Sequence, residues 1–382
     1  MDFTFTEEQQ AAEEAARAVL SGVSPDGVPS PALTRGAVAE DFDRALWASL
    51  ADADLLSLFI APEHGGAGLG PIALCLVLRE AGQVLARVPL LESSAAAAVL
   101  SSHGGRAVAG LLPLVGRGEL VITVASSGRT GHDQAELAVT AREMTASGTK
   151  GSGWVLDGMQ TAVPWAQSAD RVLLPARTGE GRTVLALVPC DRTGVTLADQ
   201  VSTNGERYAQ VGFDSVRLGG DEVITAEGAW ERLRGLLTVG TSALALGVGT
   251  AVARMTSAYA SKREQFGFPI ATFQAVAVQA ADRYIDLRAM EATLWQAAWR
   301  MESGAAGELP VDADIAVAKI WAAEGVRRVV QTAQHLHGGF GADTGYSLHR
   351  YHAWAKQLEL SLGPAAAHEE ALGDLLAAHP VD

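Results

Sequence analysis

Cysteine is nearly absent from this chain. Cys75 and Cys190 are the two thiols in 382 residues, too few for a dense disulfide framework and without the spacing of a metal site. A reducing compartment, the cytoplasm, is the expected location. Charge is sparse at 19% of residues, and 29 basic against 44 acidic residues give a formal net charge of −15. Such a chain repels nucleic acid and anionic membranes over long range, so neither is expected as a partner. An anionic ligand would need a local basic patch to overcome that field. The opening Met1-Asp2-Phe3-Thr4 has neither a basic nor an apolar leader pattern, which argues against a signal peptide. Charge is missing altogether from Gly235 to Ala253, a run approaching a membrane span in length. Arg234 and Arg254 bracket it, and its glycines and hydroxyl residues permit close helix packing. A buried bundle helix is expected there instead. Phosphate-loop and nucleophile-elbow patterns are lacking too. His335, His337, His349 and His352 cluster, but no cysteine or paired carboxylate completes a ligand set, so no metal is expected.

What is present is apolar and patterned. Hydrophobic residues make up 48% of the chain, which is globular rather than disordered. Alanine runs such as Ser93 to Leu100 favour helix. Residues 1–118 read as an N-terminal α-helical domain. Thr6-Glu7-Glu8-Gln9 is a capping-box start, and Pro62-Glu63-His64-Gly65-Gly66-Ala67-Gly68 must be a loop. Residues 119–224 switch to short strands separated by Gly, Asp and Ser, an antiparallel sandwich or barrel. Residues 225–382 return to helix over 226–262, 271–302, 312–337 and 347–376, a four-helix bundle. The class is α+β, with the two helical parts expected to share one core.

One stretch carries chemistry. It runs from Tyr259 through Arg263-Glu264-Gln265-Phe266-Gly267-Phe268-Pro269-Ile270 to Phe273-Gln274. It is a helix end with an arginine and an aromatic, a Gly/Pro turn, then a new helix. A fixed guanidinium beside an aromatic suits a pyrophosphate next to a purine. Read from physics alone, an arginine satisfying the helix dipole with Phe266 in the core explains it as well.

This stretch resembles the acyl-CoA dehydrogenase family, whose members read Arg-x-x-Phe-Gly-x-Pro-Ile and then Phe-Gln. The resemblance spans the whole chain. The Pro62–Gly68 loop, Leu156-Asp157-Gly158 with Ser168-Ala169-Asp170, and His335-Leu336-His337-Gly338-Gly339-Phe340-Gly341 match further motifs in order. The resemblance implies the three-segment fold and FAD lying across a dimer interface. One subunit holds the flavin ring, and its neighbour holds the pyrophosphate and adenine end. A carboxylate removes the α-proton of an acyl-CoA thioester, the β-hydrogen leaves as hydride to the flavin, and electron-transfer flavoprotein is the implied acceptor.

Carried over position by position, the donated half of the FAD site falls on Arg263, Gln265, Phe266, Ile270, Phe273, Gln274, His335, Gly338 and Gly339. His335 replaces a glutamine usual in the family. The half that holds a chain's own flavin departs more. Ala125-Ser126-Ser127-Gly128-Arg129-Thr130-Gly131-His132-Asp133 stands where a Thr-Glu-Pro loop is usual. Ala162-Val163-Pro164 stands for Trp-Ile-Thr, and proline has no amide hydrogen to offer. Both places for the catalytic carboxylate hold leucine, Leu237 and Leu362, which cannot accept a proton. Thr238 replaces the arginine that meets CoA. Glu359, one turn before Leu362, is the fallback base.

The resemblance is therefore to the non-catalytic subunits of actinobacterial α2β2 enzymes acting on steroid side chains, whose partner carries the Glu or Asp. Met1-Asp2-Phe3-Thr4, Gln296 to Arg300, and Leu348 to Gln357 carry that narrower likeness. Two other readings stay open: a self-sufficient homo-oligomer with a displaced base, and a flavin-free structural or binding member of the fold.

Overall fold

Thr6 opens the first helix as its sequence predicts. Its hydroxyl accepts from the Gln9 amide at 3.3 Å, and the Thr6 amide donates to Gln9 Oε1 at 3.0 Å, the reciprocal pair of a capping box. In the computed structural model, which describes residues 4–31, 33–131, 133–146 and 149–380, this is helix α1, Glu7–Leu20. Then come α2 (Arg44–Asp52), α3 (Pro71–Gln83), α4 (Leu90–His103) and two short helices, α5 (Arg106–Ala109) and α6 (Leu112–Gly116). Met1 to Phe3 and His132, parts of two segments quoted above, lie outside the described residues.

The strands follow as β1 (Ile122–Val124), β2 (Val139–Ala146), β3 (Thr149–Pro164), β4 (Arg171–Thr178), β5 (Thr183–Pro189), β6 (Val195–Val201), β7 (Arg207–Leu218) and β8 (Val223–Ile224). They form one sheet ordered β6-β7-β3-β2-β4-β5-β8, with β1 also beside β4. Most ladders are antiparallel, as the short-strand pattern predicts. Two are not: β1 and β2 each run parallel to β4. The expected all-antiparallel arrangement is thus a mixed sheet. The reason is edge occupancy. β3 turns back on β2, but its other edge is taken by β7. After reversing again, β4 adds to the free edge of β2, and two reversals make that pair parallel.

The third part holds α7 (Ala229–Lys262), a two-strand hairpin of β9 (Glu264–Gln265) and β10 (Phe268–Pro269), then α8 (Gln274–Ser303), α9 (Val311–His337), α10 (Leu348–Leu360) and α11 (Ala365–Ala378). The expected fourth bundle helix, 347–376, is broken into α10 and α11. Leu362 and Gly363 both take positive φ, 60° and 100°, and Pro364 follows as the N-cap of α11.

The uncharged run Gly235 to Ala253 is the buried middle of α7. It joins the two helical parts in one core, with Leu74, Val77 and Leu78 of α3 clustered with Val239, Ala243 and Leu246 of α7. The crossing of α3 and α7 is closest at paired glycines. A Cβ on Gly247 would sit 2.1 Å from the Arg79 carbonyl oxygen, and one on Gly82 would sit 2.3 Å from that of Leu244. Backbone cannot yield as a side chain can, so Gly247→Ala must push the helices apart. It is expected to cost about 2 kcal/mol, read as a lower urea midpoint with an unchanged slope. An unaltered midpoint would show that the crossing has slack.

Candidate functional site

The Arg263 segment is built by the end of α7. The Arg263 amide donates to Tyr259 O, and its carbonyl accepts from the Ile270 amide, both at 2.8 Å. These bonds close the β9–β10 hairpin across Phe266 and Gly267, whose φ values are 54° and 82°. A two-residue turn with both φ positive suits a hairpin but strains a phenylalanine. Phe266 is nevertheless 91% exposed, with Phe268 at 62%. The reading that buried Phe266 in the core is therefore excluded. The Arg263 guanidinium is exposed and has no hydrogen bond or ion pair among the described residues. Phe273 caps α8 and meets the Phe266 ring edge-on at 6.4 Å. Gln265 and Gln274 are exposed beside it, and Ile270 is half-buried beneath.

The Gly338-Gly339 turn ends α9. Gly338 takes φ 59° and ψ −138°, a combination essentially reserved to glycine. Neither Gly338 nor Gly339 has a neighbour where a Cβ would be, so a ligand can approach the backbone closely. His335 is exposed on the last turn. The residue that holds the turn is Gln334, which motif alignment passed over: its Nε2 donates to Gly338 O at 2.9 Å. Tyr259, four residues before Arg263, opens the stretch singled out in sequence but has no role assigned there. Its ring stacks on His337 at 4.3 Å and on Phe340 at 5.6 Å. The two motifs read separately in sequence are thereby one site.

The opposite half, across β3, is closed on itself. Gln160 is fully buried; it accepts from the Gly128 amide and donates to Ala135 O, each at 2.7 Å. The Thr161 amide goes to Gly128 O, and the Ala162 amide goes to Gln200 Oε1, each at 2.8 Å. Val163 pairs with Ala209 in the sheet. Pro164 has no amide hydrogen, and its carbonyl accepts from the Thr123 hydroxyl. The amides of Thr161 and Ala162 are spent and Pro164 has none, so these three offer no donor to a ligand's carbonyl or ring nitrogen.

Comparison with known proteins agrees with this architecture. The model of the acyl-CoA dehydrogenase N-terminal domain matches residues 6–119, and that of the C-terminal domain matches 228–376. The chain belongs to the acyl-CoA dehydrogenase family. Acyl-CoA dehydrogenase FadE27 of Mycobacterium tuberculosis is 36% identical, over 100% of both chains. Among solved structures, a chain of the ChsE4-ChsE5 complex from Mycobacterium tuberculosis is 34% identical, with TM-score 0.89 over 100% of both chains. A chain of a Tcur3481-Tcur3483 steroid ACAD variant is 34% identical, with TM-score 0.87 over 97% of this chain and 98% of that one. Membership makes the chain part of an FAD-dependent dehydrogenation chemistry.

The two positions expected from the resemblance to bear a catalytic carboxylate are here apolar and packed. Leu237 is 3% exposed in α7, and Leu362 lies half-buried against the same core. Thr238 is buried too, its hydroxyl donating to Arg234 O at 2.8 Å within the helix. Glu359 is occupied: its carboxylate pairs with Lys356 at 2.6 Å. It faces the seam with α9, where its field acts on Lys319 and Arg327. A carboxyl that sequence reading did not single out is Glu92, at the start of α4. Burial pushes it up to about 7, against its own helix amide and the Trp165 side chain, which lower it. Two of the clustered histidines bond within the fold. His337 Nδ1 meets Ala333 O at 2.8 Å, its Nε2 meets the Tyr346 hydroxyl at 3.1 Å, and His349 Nδ1 meets Tyr346 O at 2.8 Å.

Proposed function

We propose that this chain is the subunit of an acyl-CoA dehydrogenase that lacks its own carboxylate base and completes the FAD site of a partner subunit carrying the catalytic Glu or Asp. One observation carries the reading: the two halves of the site differ in availability. Arg263 is unpaired among the described residues and the Gly338-Gly339 backbone is open, whereas the amides of 161 and 162 are spent internally and Pro164 has none. The residues present thus fit the pyrophosphate and adenine end of the dinucleotide and do not fit its ring.

In this arrangement FAD, when bound, supplies the two-electron acceptor. Arg263 neutralises the pyrophosphate with two parallel N–H donors. Phe266 offers its face beside the adenine, with Gln265, Ile270, Phe273 and Gln274 around it. Gly338 and Gly339 present backbone amides at close range, with His335 at the rim. The partner contributes the base and the flavin-ring pocket. Exposed apolar side chains on α8 support the contact: Val278 and Ile285, seven residues apart on one helical face, are each more than half exposed. The descriptions of the similar solved structures, a two-protein complex and a steroid ACAD, support an α2β2 assembly and a steroid side-chain CoA thioester as substrate class. Electron-transfer flavoprotein as acceptor and a cytoplasmic setting complete the proposal.

The test compares the chain alone with the chain co-expressed beside a family member bearing Glu or Asp at the base position. Alone it is expected to carry little flavin and no activity. The co-purified complex is expected to be yellow and active, and to keep its turnover with Glu359→Gln or Glu92→Gln in this chain. A yellow, active oligomer of this chain alone would reject the reading. So would loss of turnover, with flavin retained, in either carboxylate variant. A complex that never takes up flavin would favour the flavin-free alternative.

A further inference from the structure

Both sides of the proposed dinucleotide grip are mechanically weak by themselves. The hairpin after Arg263 stands out from the body, and the other side turns on two consecutive glycines, the residues that lose most freedom when fixed. Something must hold their relative position, and the four-ring cluster between them is suited to do so. Tyr259 contributes twice: its carbonyl accepts from the Arg263 amide, and its ring stacks on His337, the residue immediately before Gly338. Phe340 continues the stack one residue past Gly339. Tyr346 closes it, 4.5 Å from Phe340 and 5.4 Å from His337.

The hydrogen bonds assign one tautomer. A backbone carbonyl cannot donate, so the contact between His337 Nδ1 and Ala333 O requires the proton on Nδ1. Nε2 is then a lone pair, and it accepts from the Tyr346 hydroxyl. His337 is 3% exposed, so an unpaired Tyr346 hydroxyl or His337 nitrogen there would be costly.

We propose that Tyr259, His337 and Tyr346 are positioning residues for FAD, fixing the Gly338-Gly339 backbone relative to the Arg263 guanidinium before the dinucleotide arrives. The inference rests on the proposed role of those groups in gripping FAD. Its gain is preorganisation: the complex orders fewer groups on binding.

The experiment uses the two-subunit complex stripped of flavin, with the FAD dissociation constant read by fluorescence quenching and the melting temperature of the flavin-free complex read alongside. Tyr346→Phe keeps the ring, removes one hydrogen bond and leaves His337 Nε2 unpaired; it is expected to weaken FAD about fivefold and to lower the flavin-free melting temperature by a few degrees. Tyr259→Leu removes the central ring and is expected to weaken FAD about tenfold. In a His337→Phe background the Tyr346 hydroxyl has lost its acceptor, so adding Tyr346→Phe is expected to restore part of the loss. Arg263→Ala is the control. If it loses FAD while Tyr346→Phe and Tyr259→Leu bind as the parent does, the positioning role is wrong and the grip stands. If Gly247→Ala, which destabilises α7 away from the rings, weakens FAD as much for the same fall in melting temperature, the cluster is a fold element and the proposal is likewise overturned. If Arg263→Ala keeps its FAD, the grip itself is wrong and the positioning role falls with it.

Discussion

Arg263→Ala in the two-subunit complex is expected to raise the FAD dissociation constant about a hundredfold and to leave this chain folded. The magnitude follows from the geometry proposed. A guanidinium on a pyrophosphate makes two charge-assisted hydrogen bonds, each worth roughly 1.5–3 kcal/mol, and about 3 kcal/mol is two decades of affinity. The chain carries −15 overall, so a dianionic ligand has little other local attraction to fall back on. Folding should be spared for a separate reason. Arg263 is exposed and makes no side-chain bond among the described residues. Its only stabilising role is the interaction with the C-terminal dipole of α7, worth less than about 1 kcal/mol at an exposed site. Arg263→Lys should fall between parent and alanine, because an ammonium keeps the charge but not the fork. Titration of flavin-free complexes with FAD, beside urea unfolding of the chain, measures both halves. Affinity within a few-fold of the parent would remove Arg263 from the site.

The elements themselves were legible because their causes are local. The capping box at Thr6, the uncharged middle of α7 and the alternating strands each follow from neighbouring residues. Pairing was not. Nothing in β4 announces that it will join the free edge of β2 rather than β3, because that choice depends on β7 arriving later to occupy β3. The break between α10 and α11 did leave a mark, Gly363-Pro364, a dipeptide that favours turns. The helical periodicity on both sides masked it, and Leu362 gives no sign that it will adopt φ 60°.

The site was legible as separate motifs and not as a cluster. Arg263 and Gly338 are far apart in sequence, and the residue that joins them, Tyr259, sits where an aromatic on an amphipathic helix is ordinary. Gln334 was hidden by its neighbour: the family's usual glutamine falls on His335, while the amide bonded to Gly338 O comes from one residue earlier. The spent amides of 161 and 162 were invisible, because their acceptors, Gly128 O and the Gln200 side chain, come from a loop and another strand. The proline at 164 was the one part of that closure that residue identity alone exposed.

Lys319→Met is expected to remove a contribution to the parent's stability that grows between pH 7 and pH 10. Lys319 is 1% exposed among the alanines of α9, and its Nζ donates to Leu358 O at 2.9 Å and to Glu359 O at 3.0 Å. Those carbonyls are unpaired ends of α10, directly before the Leu362 break. Burial lowers the amine to about 7, with the Glu359 carboxylate acting the other way. Two acceptors are all that a neutral amine, with two N–H bonds, has to serve. Below pH 7 folded and unfolded chains both carry the proton, and this group adds no slope. From about 7 to about 10 the unfolded lysine keeps its proton and the folded one has lost it. The contribution of Lys319 to stability therefore rises by about 1 kcal/mol per pH unit until both are neutral. The cysteines run the other way. Cys75 and Cys190 are raised by burial, so the unfolded chain loses those protons first and stability falls above about pH 8.5. Subtracting the variant's profile from the parent's isolates the lysine. At neutral pH Lys319→Met leaves two helix-end carbonyls unsatisfied, and is expected to cost about 2 kcal/mol. That cost should grow with pH, because the parent gains what the variant cannot. Urea midpoints from pH 6.5 to 9.5 decide it: parallel profiles would mean that Lys319 stays charged in the folded chain, as an ammonium held by the dipole of α10.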